Sequence, residues 1–274
     1  MTGSRRSILT RCARRHPFSA DRGSVRNQDQ WAPSKFVYEE GRLIASRDRR
    51  EVSSGSQLIG DLVAGCYDDA LKRYARGALV DLGCGKVPLY EAYRDLVTAN
   101  TCVDWARSLH KNEFLDVECD LMEPLPFEAE GFDTVILSDV LEHVPDPAHL
   151  WSEMSRILAP KGHILMNVPF LYWLHEEPHD YYRYTEFALR RFASDAGLDV
   201  VVLKPIGGTP ELLADLAAKH LVRIPVVGRL LAGLIQGGTL GFVRTRIGRG
   251  VSRRSSAKFP LGYFMVAAKP GRTG

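Results

Sequence analysis

The run Ala78-Leu79-Val80-Asp81-Leu82-Gly83-Cys84-Gly85 constrains this chain more than any other. An apolar segment that breaks into a D-x-G-x-G turn reads as a buried strand entering a tight loop, with a helix expected from about Leu89. Glycine lets the backbone approach a ligand where a Cβ would collide, and a helix N-terminus behind the turn favours an anionic group. Strand, glycine turn and helix in that order put a small-molecule site at the carboxyl edge of a parallel sheet. The turn alone does not choose the ligand, because dinucleotide-binding folds use the same device.

The rest of the chain supplies the sheet. Short apolar runs at 78–82, 101–104, 114–117, 134–137, 163–168, 200–203 and 263–267 alternate with helical segments. Seven strands so interleaved predict an α/β domain on a mostly parallel sheet, with helices on both faces. At 274 residues and 45% hydrophobic, the chain can form one such core over 31–274. Ahead of it, Leu58, Leu62, Tyr67, Leu71 and Tyr74 fall at helical spacing and predict an amphipathic helix over about 56–75. Residues 1–30 are polar and rich in arginine and serine, which predicts a disordered basic tail without the apolar core of a secretory signal. The five cysteines form no C-x-x-C pair, which argues against zinc or a disulfide framework and for a reducing cytoplasm. A net charge of +3 is too mild to imply nucleic acid as a partner.

Further motifs narrow the ligand. Asp104 ends the second strand, where an acid can hold two ribose hydroxyls, and Asp120-Leu121 closes the third, with a carboxylate for an adenine amine and an apolar side chain for the ring. Phe132-Asp133-Thr134-Val135-Ile136-Leu137-Ser138-Asp139-Val140-Leu141-Glu142-His143-Val144-Pro145-Asp146-Pro147 and then Arg156-Ile157-Leu158-Ala159-Pro160-Lys161-Gly162 follow. In this order and spacing the chain resembles the type 11 family of class I S-adenosylmethionine (SAM)-dependent methyltransferases, from about Ala78 to Gly197 and again in the last strand. The resemblance implies a Rossmann-like seven-strand sheet whose last strand is antiparallel, with SAM at its carboxyl edge and a methyl acceptor above. It implies Asp81, Gly83, Cys84, Gly85, Asp104, Asp120, Leu121 and Ser138 as the cofactor-binding residues. One departure is visible: Lys86-Val87-Pro88 stands where the family continues with a third glycine.

Methyl transfer is an in-line displacement at a sulfonium, so the protein must align the acceptor and, for a hydroxyl, remove its proton. Two loops offer candidates: Asp139, Glu142 and His143 after the fourth strand, and 175–184 after the fifth. Histidine suits base work near neutral pH, which makes His143 and His179 the candidate catalytic residues; alternatively, Glu142-His143 only packs the loop and caps the next helix. No metal ligand is assigned, although Asp139-x-x-Glu142-His143 resembles the E-x-x-E-H cluster by which some ubiquinone-pathway and small-RNA methyltransferases hold magnesium. His175 or His179 would complete such a site. The segment His179-Asp180-Tyr181-Tyr182-Arg183-Tyr184-Thr185 resembles segments of type 11 enzymes of cell-surface sugar assembly, which favours a sugar or lipid-linked glycan hydroxyl as acceptor.

Residues 207–258 exceed an ordinary loop and predict a helical insertion between strands six and seven. Leu221 to Val243 is nearly all apolar and glycine, followed by six cations from Arg244 to Lys258 with no acid among them. Such an element rests on an anionic membrane at the inner face, caps the sheet, or forms a dimer interface. Three functional readings therefore stand: a glycan O-methyltransferase, a methyltransferase of a soluble metabolite such as a quinone precursor, and a non-catalytic scaffold on the same fold. The polar set Asp81, Asp104 and Asp120 argues against the last.

Overall fold

The computed structural model describes residues 24–105 and 113–272. A hairpin of β1 (Phe36–Glu39) and β2 (Arg42–Ala45) leads into α1 (Gln57–Tyr74). Then come β3 (Ala78–Leu82), α2 (Tyr90–Tyr93), β4 (Ala99–Asp104), β5 (Val117–Glu118), β6 (Phe132–Ser138), α3 (Pro147–Ile157) and β7 (Leu158–Pro169). The chain closes with α4 (Glu186–Asp195), β8 (Asp199–Ile206), α5 (Thr209–Leu221), α6 (Gly228–Arg244), α7 (Arg246–Ser256) and β9 (Gly262–Ala268). The large sheet has the order β5-β4-β3-β6-β7-β9-β8, with β9 antiparallel to both neighbours and the other pairings parallel. This is the Rossmann-like sheet expected, with α5, α6 and α7 forming the insertion between its last two strands.

Alternation along each strand explains why both faces are covered. Val80, Leu82, Val135 and Leu137 point to the side where Leu150, Trp151 and Met154 of α3 and Leu189 of α4 pack. Leu79 and Ile136 point the other way, onto Val63, Tyr67 and Leu71 of α1 and Tyr90 and Tyr93 of α2. The strand order reverses between β3 and β6, so the crevice at their carboxyl ends is where a ligand binds in sheets of this kind.

Three expectations need correction. The third strand is the two residues of β5 rather than 114–117, and the helix expected from Leu89 is the single turn α2. The tail does not extend to residue 30: Val25 is buried, Arg26 donates to the Leu115 carbonyl at 3.1 Å, Asn27 to that of Glu113 at 2.7 Å, and Trp31 meets Tyr90 edge to face. A few anchors hold this stretch despite its polar composition. Residues 1–23 lie outside the described residues. No helix among the described residues is long and apolar enough to cross a membrane.

Candidate active site

The turn after β3 is tied to the end of β4. Gly83 and Cys84 donate their amides to the Val103 carbonyl at 2.8 and 3.0 Å, and Gly85 donates to Asp104 Oδ2 at 3.0 Å. The other oxygen of Asp104 accepts from the Trp105 amide at 2.8 Å. Gly83 sits at φ +70, and a Cβ there would lie 2.5 Å from Val140 Cγ2, so the turn needs glycine both for its conformation and for passage under the loop after β6. With three amides engaged internally and only one helical turn behind, the loop offers a ligand its close-lying backbone surface, not the helix N-terminus expected. Cys84 offers main chain alone, because its side chain is buried and its thiol meets that of Cys102.

Val87, in the departure from the family pattern, is buried at φ +51 immediately before a proline. That conformation is strained for a β-branched residue. Its neighbour Lys86 reaches out to an ion pair with Glu51 at 2.9 Å, joining the turn to the loop that precedes α1.

Asp81 is buried beneath the turn; loss of water, with the Asp104 carboxylate beside it, pushes its carboxyl up to about 8. Asp120, just beyond β5, is exposed and accepts from the Met122 amide at 3.0 Å, while Leu121 packs on the core. Ser138 ends β6 and donates to Asn167 Oδ1 at 3.0 Å, an oxygen that also accepts from Tyr67 at 2.9 Å. Asn167 in turn donates to Asp139, which pairs with Lys35 at 2.6 Å. All eight candidate cofactor residues thus lie at or just past the carboxyl ends of β3, β4, β5 and β6.

Beside this edge is a cavity of about 280 Å³ lined by, among others, Lys35, Asp139, Asn167, Tyr172, His175 and Glu176. Behind the lining residue His175, Glu142 and His143 complete a cluster in which the three side chains bring one ligand atom each to within 4.8 Å of one another. Glu142 is fully buried, and neither of its side-chain oxygens makes a hydrogen bond. Burial, with Asp139 nearby, holds its carboxyl well above the usual range. His143 Nε2 and His175 Nε2 each stand 3.8 Å from Glu142 Oε1.

The far nitrogens of both rings are engaged. His143 Nδ1 donates to the His179 carbonyl at 2.8 Å, and His175 Nδ1 donates to the Trp173 carbonyl at 3.3 Å, with Asp180 Oδ2 also 3.3 Å away. Arg183 holds Asp180 through its two terminal guanidinium nitrogens, and with His175 it draws that carboxyl down to about 2. The 179–185 segment is therefore built into the site's frame: Tyr181 and Tyr182 donate their amides to the Glu142 carbonyl, and Thr185 caps α4 by accepting from the Ala188 amide. Glu142 does not cap α3; Asp146 does. His179 itself is exposed, with its ring against Trp105 and Tyr181, outside the cluster.

A family model described as a methyltransferase domain matches residues 80–166. Among curated proteins, the chain is 29% identical to a ubiquinone biosynthesis O-methyltransferase of Chromobacterium violaceum, over 56% of this chain and 82% of that one. It is 27% identical to the protein of that name from Cupriavidus pinatubonensis, over 52% and 68%. The chain is a class I SAM-dependent methyltransferase. Its fold is shared with phosphoethanolamine N-methyltransferase 2 of Haemonchus contortus, solved with SAM, at a TM-score of 0.51 and 17% identity over 82% of this chain and 58% of that one.

Several residues of this methyltransferase's site carry no local signal. Lys35 and Glu51 come from the segment before α1, more than 80 residues from Asp139 and from His175, and no periodicity marks them. Asn167 was hidden in an apolar strand; its polarity inside 163–168 was the available clue. The donor set also departs from the sequence expectation for magnesium. Two imidazoles and a carboxylate suit zinc, iron or manganese better than magnesium, which prefers oxygen.

Proposed function

We propose that this methyltransferase transfers the SAM methyl group to a phenolic hydroxyl of a small aromatic acceptor of the quinone-precursor class. The names of the two relatives favour that acceptor over the glycan hydroxyl. The observation that carries the reading is the cluster reached through His175 of the cavity lining, where two imidazoles turn Nε2 toward one buried carboxylate that lacks hydrogen bonds. Ligands about 2.1 Å from a common ion lie roughly 3–3.4 Å apart, close to the 3.8 Å seen for each imidazole against Glu142. Outer hydrogen bonds like those on both Nδ1 atoms are what metal-bound histidines make. Glu142, His143 and His175 would hold a divalent ion, which when bound supplies Lewis acidity and lowers the pKa of a hydroxyl.

The chain's own part is alignment and proton removal. Burial lowers the His175 pKa, so a neutral imidazole presents its Nε2 lone pair beside Glu142 at neutral pH. The acceptor oxygen attacks the methyl carbon in line with the C–S bond, that bond breaks to leave S-adenosylhomocysteine, and the hydroxyl proton leaves toward this cluster. On this reading His143, not His179, is the histidine of the loop pair that acts at the site. Asp104 takes the ribose hydroxyls, Asp120 and Leu121 the adenine, Ser138 the edge beside it, and the Gly83–Gly85 backbone over Asp81 the methionine end.

The test is to incubate the purified protein with SAM and either hydroxylated aromatic acids or sugar acceptors, before and after chelation, and to identify products by mass. Methylation of the aromatic hydroxyl, lost on chelation and restored by zinc or manganese, is expected. Methylation of sugars alone overturns the acceptor class, and full activity after chelation overturns the ion.

A further inference from the structure

The insertion leaves a large apolar surface uncovered. α6 is anchored along one side, where Ala232 is buried and Gln236 accepts from the Leu58 amide at 2.8 Å and donates to the Ser54 carbonyl. Elsewhere on the helix Leu230 is 66% and Leu234 62% exposed, and a Cβ on Gly233, Gly237, Gly238 or Gly241 would meet nothing within 4 Å. The turn before α6 exposes Val226 at 98%, and α7 exposes Ile247 at 75%. A helix apolar on nearly all sides is ordinarily buried or in contact with lipid, and an exposed patch of this kind marks an interaction site.

Charge identifies the occupant. Residues 216–274 contain no aspartate or glutamate, while all the arginines of α6 and α7 are exposed, as are Arg223 and Lys258. A second copy of the chain seated on this face would set arginine against arginine. An anionic bilayer meets both needs at once, phosphates for the arginines and the acyl boundary for the leucines. Because no described helix can cross a membrane, the element lies in the interface.

We propose that α5, α6 and α7 form a docking surface for an anionic lipid bilayer. The same element packs on the walls of the cavity: Lys219 Nζ of α5 lies 3.5 Å over the Tyr172 ring, and Gln236 grips Ser54 between the cavity residues Ser53 and Ser56. Docking therefore bears directly on the framework around the acceptor site, and the proposal stands whichever hydroxyl is methylated.

Cosedimentation of the full chain with vesicles of phosphatidylcholine, alone or mixed with phosphatidylglycerol, tests this. Binding to the mixed vesicles only is expected. Each arginine near such a surface is worth about fivefold, so Arg246→Gln/Arg253→Gln/Arg254→Gln should weaken binding about a hundredfold. Leu230→Glu/Leu234→Glu should abolish it. Both variants should keep wild-type SAM affinity, which separates a lost surface from a lost fold. Wild-type protein that ignores mixed vesicles, or variants that bind them equally well, overturns the proposal. So does a wild-type dimer that Leu230→Glu/Leu234→Glu dissociates without any vesicle binding, which assigns the face to a second copy.

Discussion

His143 Nδ1 donates to the main-chain carbonyl of His179 at 2.8 Å, so the second candidate base fixes the tautomer of the first. A carbonyl only accepts, which puts a proton on Nδ1, so in the neutral ring Nε2 is the lone pair and it faces Glu142. The side chains of these two histidines should then behave differently. His143→Ala should lower divalent-ion affinity and turnover by about a hundredfold, whereas His179→Ala keeps its carbonyl and should change either by less than about tenfold. Ion titration followed by steady-state kinetics on both variants makes the comparison, and equal losses would give the His179 side chain a role of its own.

The buried pair under the cofactor turn predicts a pH dependence. With its carboxyl pushed up to about 8 by burial and Asp104, Asp81 is protonated in the free protein at neutral pH. SAM brings a sulfonium and an ammonium, and a cation bound nearby favours the carboxylate. Binding should therefore release a proton, with affinity rising up to tenfold per pH unit below about 8 and levelling above. The free fold has the opposite sign. Its pKa lies above the unfolded value, so stability is highest below about pH 4 for this group and is lost as pH rises through 8. Calorimetry in two buffers of different ionisation enthalpy counts the proton; none released would separate Asp81 from the cofactor.

Gly83→Ala should disable the turn. The added methyl would stand 2.5 Å from Val140 Cγ2 at a φ of +70, so both strain and overlap oppose it. Together these cost about 2–4 kcal/mol, and SAM affinity should fall further because the turn moves. Chemical denaturation with and without SAM separates the two losses. A variant as stable as wild type would mean that the loop after β6 yields freely.

How much of this was legible depended on whether the signal was local. β3 and β6 announce themselves because Leu79, Val80 and Leu82, like Val135 to Leu137, put apolar side chains on both faces, and the insertion because its length and composition break the rhythm. Glu142-His143 stood out as a motif, but the choice between His175 and His179 turns on which ring the 170–184 loop carries inward, a matter of tertiary packing around Asp180 and Arg183. The hairpin of β1 and β2 went unseen because each strand has four residues and the first is only half sheltered. Lys35, meeting Asp139 from 104 positions away, has no periodicity to betray it.

One turn of α5 apart, Asp215 and Lys219 form a hydrogen-bonded pair whose side chains are 1% and 3% exposed, with the ammonium 3.5 Å over Tyr172. Burial raises the Asp215 pKa and lowers that of Lys219, while each partner's charge opposes the shift. Removing one charge strands the other beside the cavity, so Asp215→Ala should cost about 3–5 kcal/mol in urea denaturation. Asp215→Leu/Lys219→Met replaces both with apolar bulk of similar size and should recover most of that loss, because no unpaired charge then remains. The coupling between the single and double variants is the decisive quantity. A large coupling with Tyr172 in place would make the pair a structural support of the cavity wall, and additive effects would mean that water reaches the ammonium after all.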